Sequence, residues 1–360
     1  MLTDPTILTL DAGGTNFVFS AIAGGKPVAA PVTLPSCADD LDACIGNLIK
    51  GFNMVRASLP TRPAAISFAF PGPADYPAGV IGDLPNFPSF RGGIPLGPIL
   101  EDKFGIPVFI NNDGKLYAYG EALHGILPEI NSRLAQVGST RRYRNLVGVT
   151  LGTGFGGGIV VDGKLLLGDN GTGGDLWCLP DAVEPGCIAE ESVSIRAVRR
   201  VYATLANDSR NLTPFDIFLI AEGSADGNPE AAHEAFARLG RAAGAVLASV
   251  VTLADGIVVI GGGIAGAARH IVPAMVSEMN SDIGLLNGSR ISRMQAHVYN
   301  LDDPEQFATF AADDTRRIPV PGTNRTVPYR PTKKTGVAVS RMGAPAAIAM
   351  GAYRFAIDHL

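Results

Sequence analysis

Two glycine-rich loops, each flanked by apolar runs, constrain this chain more than any other feature of its sequence. The first, TLDAGGTN, covers Thr9–Asn16, and the second, TLGTGFGGGIV, covers Thr150–Val160. Each pattern predicts a strand, a glycine-threonine loop and a second strand. Chance similarity is the alternative, because glycine-rich hairpins are common. A duplicated α/β domain explains both loops, and it predicts a cleft in which matching loops hold one substrate.

Composition narrows the classes of protein that fit the chain. Its 360 residues, 46% hydrophobic and 18% charged, are enough for two globular domains. The net charge of −5 argues against a nucleic-acid partner, and we interpret Arg141, Arg142 and Arg144 as a solvated loop. No apolar run approaches the roughly 18 residues of a membrane span, and the first strand starts too early for a secretion signal. We therefore expect a cytoplasmic protein without membrane association. Its cysteines lack zinc-site spacing and are expected to be reduced thiols: Cys37, Cys44, Cys178 and Cys187.

Apolar spacing predicts that helices alternate with single strands along the rest of the chain. The predicted helices are Leu41–Ala57, Leu96–Phe104, Asn112–Leu123, Ser192–Leu205, Pro229–Leu253 and Ala344–Ile357. The predicted buried strands are Ala65–Phe70, Val108–Ile110 and Gly256–Ile260. Residues 71–98 and 127–145 are predicted to be irregular, the former as a surface loop rich in proline and glycine. For residues 127–145 and 300–335, a lid, an oligomer contact and a solvated loop all remain open as roles.

The chemistry of both loops points to phosphate. Glycines let backbone N–H groups approach a phosphate closely, and a threonine hydroxyl adds a donor. The candidate phosphate-binding residues are Gly13, Gly14, Thr15, Gly152, Thr153 and Gly154. Asp11 ends the first strand, where its carboxylate can orient the water shell of Mg²⁺. A plain tight turn is the alternative for either loop.

A third glycine-rich segment, IVVIGGGIAGAA, combines a predicted strand, a glycine turn and a helix. It lacks the GxGxxG spacing of a dinucleotide fold. We therefore interpret Gly261, Gly262 and Gly263 as a backbone surface for the adenosine end of a nucleotide.

Asp113, in the segment INNDGKLYAYGE, follows a predicted strand and starts a predicted helix. A carboxylate there can face a cleft, and a helix N-cap is the alternative. Beside two phosphate-type loops, a base for a sugar hydroxyl is the better interpretation. The predicted chemistry is phosphoryl transfer, which requires positioning, Mg²⁺ and a carboxylate near the attacking oxygen.

Taken jointly, these motifs resemble the ROK family of bacterial sugar kinases and sugar-responsive repressors, in the actin-like ATPase superfamily. LDAGGTN and GVTLGTGFGGGIVVDGK resemble its two phosphate motifs, and IVVIGGGIA resembles its adenosine motif. INNDGKLYAYGE resembles its N-D-A-N-x-x-A-x-G-E stretch, and the match runs in the same order from Ile7 to Ala265. The resemblance implies an α/β fold of duplicated ribonuclease-H-like domains. It implies a smaller lobe of residues 1–112 and 345–360 and a larger lobe of residues 113–344, around a cleft.

The resemblance also implies an activity: an ATP-dependent, Mg²⁺-requiring hexose kinase in which Asp113 is the base for O6. The expected partners are a hexose or hexose derivative and, as a homodimer, a second copy. The implied sugar contacts are Gly72, Asn86, Asn112, Asp113, Asp175 and Glu190. Turn roles are the alternative for Gly72 and Asn86, and an exposed acid at a helix N-terminus is the alternative for Glu190. A catalytically silent sugar-binding protein remains the rival function, whereas a repressor is not expected because only about six residues precede Ile7.

The chain departs from the family pattern at GTGGDLWCLP. The family usually has G-x-x-G-E-x-G-H there, and its Glu and His contact the sugar. Here Asp175 replaces Glu, Trp177 replaces Gly and Cys178 replaces His. The family's zinc cluster is reduced to Gly186-Cys187, so no structural zinc is expected. For the lone tryptophan, core packing is favoured over stacking on a sugar ring.

Overall fold

A computed structural model describes residues 4–84 and 87–360. The chain forms two compact units. The first comprises the described residues up to Gly125 together with Gly163–Gly174 and Met342–Leu360, and the second comprises Ile126–Asp162 and Asp175–Arg341. The first unit thus continues past the boundary predicted at residue 112, because the helix that starts at Asp113 packs on the C-terminal helix.

Strands and helices alternate along the first half of the chain. Its elements are β1 Ile7–Ala12, β2 Asn16–Ala23, β3 Lys26–Pro27, β4 Val32–Pro35, α1 Leu41–Ala57, β5 Ala65–Ala69, β6 Ala74–Asp75, β7 Val80–Ile81, α2 Leu96–Phe104, β8 Val108–Asn111, α3 Asp113–Leu123, α4 Ile126–Gln136, β9 Leu146–Leu151, β10 Phe155–Val161 and β11 Lys164–Leu165. The remaining elements are α5 Ile195–Ala206, α6 Pro214–Ala221, α7 Pro229–Ala254, β12 Ile257–Gly261, α8 Ala268–Met279, β13 Asp282–Gly284, β14 Arg290–Ser292, β15 Ala296–Asn300, α9 Pro304–Ala311, β16 Arg316–Pro319, β17 Thr326–Tyr329, β18 Lys333–Val339 and α10 Ala344–His359.

The sheet of the first unit has the order β3-β2-β1-β5-β8, with β4 also pairing with β2. Strand β2 is antiparallel to β1, whereas β5 and β8 run parallel to β1. All five residues of β5 are buried, as expected for a parallel strand covered on both faces. The loops that follow β1, β5 and β8 therefore share one edge of this sheet.

The C-terminal helix α10 packs on α3 and on β5, so the end of the chain returns to the first unit. Two glycines permit the close approach of the helices. A Cβ at Gly120 would lie 1.9 Å from the carbonyl oxygen of Ala347, and a Cβ at Gly351 would lie 1.9 Å from that of Leu116.

Residues 71–98, predicted to be an irregular surface loop, contribute to the core of the first unit. Leu84, Phe87 and Phe90 are buried there. The Phe87 ring lies 5.1 Å from that of Phe70 and 6.2 Å from that of Phe17, between centroids. The surface prediction was wrong for these side chains, because proline and glycine fix the backbone course while the phenylalanines between them fill the core.

The second unit repeats the topology of the first. Its sheet contains the order β10-β9-β12-β18-β15, with β10 antiparallel to β9 and the other three strands parallel to it. Each unit therefore contains an antiparallel hairpin whose first strand is joined by parallel strands. The duplication predicted from the two loops is confirmed at the level of sheet order.

The helix α7 is the only one in the described residues that is long and apolar enough to cross a membrane, by length and composition alone. Its most apolar window is 67% buried within the protein, so it has the burial of a core helix. Ala235, Phe236, Leu239 and Leu247 belong to the hydrophobic core of the second unit.

Two stretches for which no helix or strand was predicted contain regular structure. Residues 127–145 begin inside α4, whose buried face is formed by Ile126, Leu127, Ile130 and Leu134. Residues 300–335 contain α9, which Asp303 caps, the antiparallel hairpin β16-β17 and the start of β18. The irregular prediction was wrong for residues 127–145, where Ile126, Leu127, Ile130 and Leu134 form an apolar helical stripe that was not recognised among the polar residues.

Candidate active site

The first glycine-threonine loop is a tight turn that leaves backbone donors available. The Gly13 N–H donates to the Asn16 carbonyl at 3.0 Å, and a Cβ at Gly13 would lie 2.9 Å from that oxygen. The N–H groups of Gly14 and Thr15 donate no hydrogen bond within the described residues, and space is open around Gly14. Free amides in an open turn are the arrangement that binds an anion such as phosphate.

Ser36 fixes this loop, and this role was not predicted from the sequence. Its hydroxyl donates to the Gly14 carbonyl at 2.5 Å, and its N–H donates to the Thr15 carbonyl at 2.9 Å. Ser36 is 2% exposed. With both carbonyls bound by Ser36, the peptide groups of the loop are held in one orientation. A buried serine directly after β4 was the available sequence signal, but the pairing of β4 with β2 was not predicted.

Asp11 lies on β1 directly before this loop. Its side chain remains accessible to solvent, while burial by surrounding protein raises the pKa of its carboxyl above the ordinary value. Desolvation disfavours the ionised form, and a nearby cation favours it. An oxygen ligand in this environment suits Mg²⁺ or its bound waters.

Asn112 and Asp113 lie at the start of α3, at the same sheet edge as the Gly13 loop. Asn112 is the N-cap, and its Oδ1 accepts from the Lys115 N–H at 3.2 Å. Asp113 is the first helical residue; its Oδ1 accepts from the Gly114 N–H at 2.8 Å and its side chain is exposed. The N-cap role considered for Asp113 therefore belongs to Asn112, and the Asp113 carboxylate keeps acceptor capacity for another proton.

Lys115 is a second residue whose role was not predicted from the sequence. It is 1% exposed, and its Nζ donates to the carbonyl of Gly171. This bond joins the first turn of α3 to the loop that leads into Asp175. The signal was present in INNDGKLYAYGE, because a lysine stands where the family pattern has its second asparagine.

Gly72 also lies at this edge, three residues after the end of β5. It is exposed, and a Cβ there would lie 3.1 Å from the hydroxyl of Tyr76, which itself donates to the Phe70 carbonyl. Asn86, the other sugar contact predicted in this segment, lies outside the described residues.

The second glycine-threonine loop has the same free donors. The Gly152 N–H donates to the Gly154 carbonyl at 3.1 Å, while the N–H groups of Thr153 and Gly154 donate to nothing within the described residues. Space is open around Gly152. This loop follows β9 at the carboxyl edge of the second unit's sheet.

Glu190 is bound to this second loop. Its Oε2 accepts from the Phe155 N–H at 3.0 Å, and its Oε1 lies 3.2 Å from Nη2 of Arg196. A Cβ at Gly154 would lie 2.4 Å from Glu190 Oε2. The structure thus places Glu190 beside the phosphate-type loop and gives its carboxylate two partners, so its predicted role as a sugar contact remains a proposal.

The segment Gly261–Gly263 lies next to the second loop. Gly261 pairs with Thr150, and Gly262 has a φ of +85°, a conformation that favours glycine. A Cβ at Gly262 would lie 2.5 Å from the Leu151 carbonyl oxygen. Two glycine turns therefore meet at the carboxyl ends of β9 and β12, and space is open around Gly263.

The region that departs from the family pattern is a short 3-10 turn over Leu176–Cys178. Asp175 is half-buried, and its carbonyl accepts from the Cys178 thiol at 3.1 Å. Trp177 is 43% exposed, so the core packing predicted for it was wrong: the turn buries Leu176 and leaves the indole outside. No cluster of three or more histidine, cysteine, aspartate or glutamate side chains that could hold a metal ion occurs in residues 4–84 and 87–360.

Comparison with known proteins agrees with the motifs. The sequence profile of the ROK family matches residues 7–287. The crystal structure of a glucokinase from Parabacteroides distasonis is 60% identical, covers 99% of this chain and 98% of that one, and gives a TM-score of 0.90. A glucokinase from Thermotoga maritima is 28% identical over 204 residues, which are 54% of this chain and 59% of the relative, so less than two thirds of that relative is matched.

A more distant structure extends the similarity of fold. A ROK family glucokinase from Streptomyces griseus, solved in complex with glucose and AMPPNP, is 19% identical and gives a TM-score of 0.58. The similarity covers 96% of this chain and 98% of that one.

Proposed function

The chain belongs to the ROK family and has its actin-like ATPase fold, and we propose that it is an ATP-dependent hexose kinase. The proposed reaction transfers the γ-phosphoryl group of ATP to a sugar hydroxyl, O6 of the hexose. The relative with 60% identity is named a glucokinase, which supports this class of reaction.

In the first unit, we assign the ATP phosphates to the free amides of Gly14 and Thr15, with Gly13 forming the turn. In the second unit, Gly152, Thr153 and Gly154 have the same role, and Gly261–Gly263 form a surface for adenosine. AMPPNP, bound by the Streptomyces griseus relative, has the groups that such loops would contact. Asp11 would hold Mg²⁺ through its waters, and the ion, when bound, would neutralise charge on the phosphates.

Asp113 is assigned as the general base. Its carboxylate accepts the proton of the sugar hydroxyl while that oxygen attacks the γ-phosphorus, and ADP departs with the electrons of the broken P–O bond. Asn112, Gly72, Asn86, Asp175 and Glu190 are assigned to sugar binding, with Asn112 next to the attacking hydroxyl. Excluding water from the reacting groups would limit hydrolysis of ATP.

One observation carries this proposal: Asn112, not Asp113, caps α3. Because Asn112 Oδ1 accepts the Lys115 N–H, the helix is capped without Asp113, whose carboxylate binds the Gly114 N–H through Oδ1 alone and keeps Oδ2 for another proton. Asp113 therefore remains accessible at the sheet edge that also bears the Gly13 loop. A catalytically silent sugar-binding protein would have no need of an accessible base beside free phosphate-binding amides.

A coupled assay of ADP release tests the proposal. Purified protein, Mg²⁺ and ATP are combined separately with glucose, mannose, fructose and N-acetylglucosamine, and with no sugar. We expect ADP release that depends on at least one sugar, with phosphate attached at O6 by NMR of the product. A folded protein that binds sugar but releases no more ADP than the sugar-free control would instead be the silent binding protein.

A further inference from the structure

The second unit contains a cavity that the proposed reaction does not use. Its volume is about 780 Å³. We call it the basic pocket, after the cationic residues that line it: Arg141, Arg142, Arg144, Arg330, Lys333 and Lys334. Arg293 also lines it, whereas only two carboxylates do, Asp162 and Asp255.

The basic pocket lies at one edge of the second unit's sheet, and the glycine turns that follow β9 and β12 lie at the opposite edge. Asn145, directly before β9, lines the pocket, and so do Asp255, two residues before β12, and Lys333, the first residue of β18. The glycine loops follow the other ends of β9 and β12. A six-residue strand such as β9 spans about 20 Å, so the two sites are separated by the length of the sheet.

Part of the positive charge in the basic pocket is already paired. Arg141 Nη2 lies 2.6 Å from Asp314 Oδ1, Arg293 pairs with Glu278, and Arg144 lies 4.0 Å from Asp162. Arg142, Arg330 and Lys333 form no ion pair with any carboxylate in the described part of the chain. Lys334 forms none either, and its Nζ donates to the carbonyls of Thr309 and Ala312, so the excess charge lies on these four side chains.

Neutral groups hold two of these side chains in place. Arg142 Nη1 donates to the carbonyls of Ser139 and Arg141, at 2.8 and 2.6 Å. Arg330 donates from Nη2 to Thr140 Oγ1 at 2.5 Å and from Nε to Thr315 Oγ1 at 3.2 Å. These bonds orient the guanidinium groups without neutralising them, which is how arginine is prepared to bind a phosphate.

Arg141 adds a second indication that the pocket accepts an anion. Its side chain is 10% exposed, and its Nε is buried without a hydrogen-bond partner in the described residues. Burial, and after it the positive charge of Arg141, lowers the pKa of Lys334, while Asp314 and Asp313 act against this shift without cancelling it. Like charges crowded in this way are stabilised by an anion between them.

Apolar side chains complete the lining. Val251, Ile291 and Met294 face the cavity together with Tyr143, whose ring stacks on that of Phe310 at 5.3 Å between centroids. The volume falls in the range of about 300–1,000 Å³ found for small-molecule sites, which combine apolar walls with a few polar groups. A concave, partly apolar cavity of this kind favours a small molecule over the extended backbone of a nucleic acid.

We propose that the basic pocket binds a phosphorylated small molecule, whose phosphate group is held by Arg142, Arg330 and Lys333. The site is separate from the glycine turns that follow β9 and β12, and it does not depend on the assigned reaction. Nucleotides and sugar phosphates share this chemistry, and the experiment below distinguishes them.

Isothermal titration tests the proposal on the full chain, with a non-hydrolysable ATP analogue present in excess to fill the proposed nucleotide site. The probes are glucose 6-phosphate, ADP, inorganic phosphate and a single-stranded oligonucleotide. We expect one of the first two probes to bind at least about tenfold more tightly than inorganic phosphate, because the apolar walls contact only an organic ligand.

The double variant Arg142→Gln/Arg330→Gln should weaken that binding at least about tenfold, since two charge-assisted phosphate contacts are lost. Lys333→Glu, at an exposed position, is the second variant in case the first fails to fold. Arg199→Gln, an exposed arginine on α5, is the matched control and should bind like the unchanged chain. Basal ADP release should be the same in all variants.

Three outcomes overturn the proposal. The first is equal affinity in Lys333→Glu and in Arg199→Gln. The second is that glucose 6-phosphate and ADP bind no more tightly than inorganic phosphate. The third is that the oligonucleotide binds more tightly than either small molecule, which would assign the pocket to a nucleic acid.

Discussion

At the scale of one residue, a substitution of Asp113 tests its assignment as the general base. Asparagine has nearly the same shape but cannot accept the proton, so Asp113→Asn should lower kcat by at least about 10²-fold, the lower range for loss of a general base. The substitution leaves the Asn112 cap intact, so the melting temperature and the affinity for ATP should change little. Steady-state kinetics and titration with AMPPNP measure both quantities.

The matched control for this variant is Asp102→Asn. Asp102 is an exposed aspartate on α2 of the same unit. It should leave kcat unchanged. If folded Asp113→Asn protein turned over sugar as fast as the control, Asp113 would not be the base.

A substitution of Lys115 tests how the loop that leads to Asp175 is positioned, rather than the chemical step. In Lys115→Met, the carbonyl of Gly171 loses its ammonium donor, and an unsatisfied buried group costs about 1–3 kcal/mol. The loop leading to Asp175 should then be less well fixed, so we expect KM for the sugar to rise severalfold more than KM for ATP. Lys103→Met, at an exposed lysine on α2, is the control. Equal increases in both KM values would indicate a general loss of structure instead.

At the scale of the element, alanine substitutions in the second glycine loop distinguish an effect on nucleotide binding from an effect on stability. A Cβ at Gly152 meets open space, so Gly152→Ala should keep the melting temperature but obstruct the phosphates and raise KM for ATP. A Cβ at Gly154 would lie 2.4 Å from Glu190 Oε2, so Gly154→Ala should also displace Glu190 from the Phe155 N–H. Loss of that charge-assisted bond should lower the free energy of unfolding by about 1.5–3 kcal/mol.

Chemical denaturation and ATP kinetics of the two alanine variants check this difference. A Gly154→Ala protein as stable as Gly152→Ala would show that the Glu190 contact contributes nothing to the loop. An unchanged KM for ATP in both variants would remove this loop from the nucleotide site.

The same scale shows which elements sequence reasoning can identify. Helices with several turns of apolar spacing, such as Leu41–Ala57 and Leu96–Phe104, were predicted with the bounds that the structure has. The helices α4, α6 and α9 were not predicted. The glycine loops were predicted because their local composition determines the turn. Ser36 and Lys115 were missed because their partners are distant in sequence and only the fold brings them together.

At the scale of the whole molecule, the metal content of the purified protein tests whether the family's structural zinc is missing from this chain. A structural zinc site needs about four nitrogen or sulfur ligands. Residues 170–195 offer only Cys178 and Cys187, and contain no histidine. Purified protein should contain less than stoichiometric zinc, and EDTA should leave its melting temperature unchanged. One zinc per chain by metal analysis would contradict this prediction.

Sugar selectivity is the property of the whole enzyme that this region should alter most. Asp175 is one methylene shorter than the family's usual glutamate. The thiol of Cys178, a weaker hydrogen-bonding group than the histidine it replaces, already donates to the Asp175 carbonyl at 3.1 Å. Trp177 is exposed and offers an apolar surface instead of a polar contact. These replacements should weaken polar recognition near C1 and C2 of the sugar while leaving the Asn112 and Asp113 end intact.

We therefore expect glucose, mannose, fructose and N-acetylglucosamine to differ in kcat/KM by only about 10–200-fold, the range for sites that discriminate without hydrogen-bonding a distinguishing group. Sites built to hydrogen-bond a hydroxyl reject analogues that lack it by about 10⁴-fold or more. Steady-state kinetics on the four sugars decide between these ranges. A glucose preference beyond about 10⁴-fold would mean that other residues restore the contacts which Asp175 and Cys178 fail to make. Asp175→Glu supplies the internal control, since restoring the longer carboxylate should increase discrimination only if this position contacts the sugar.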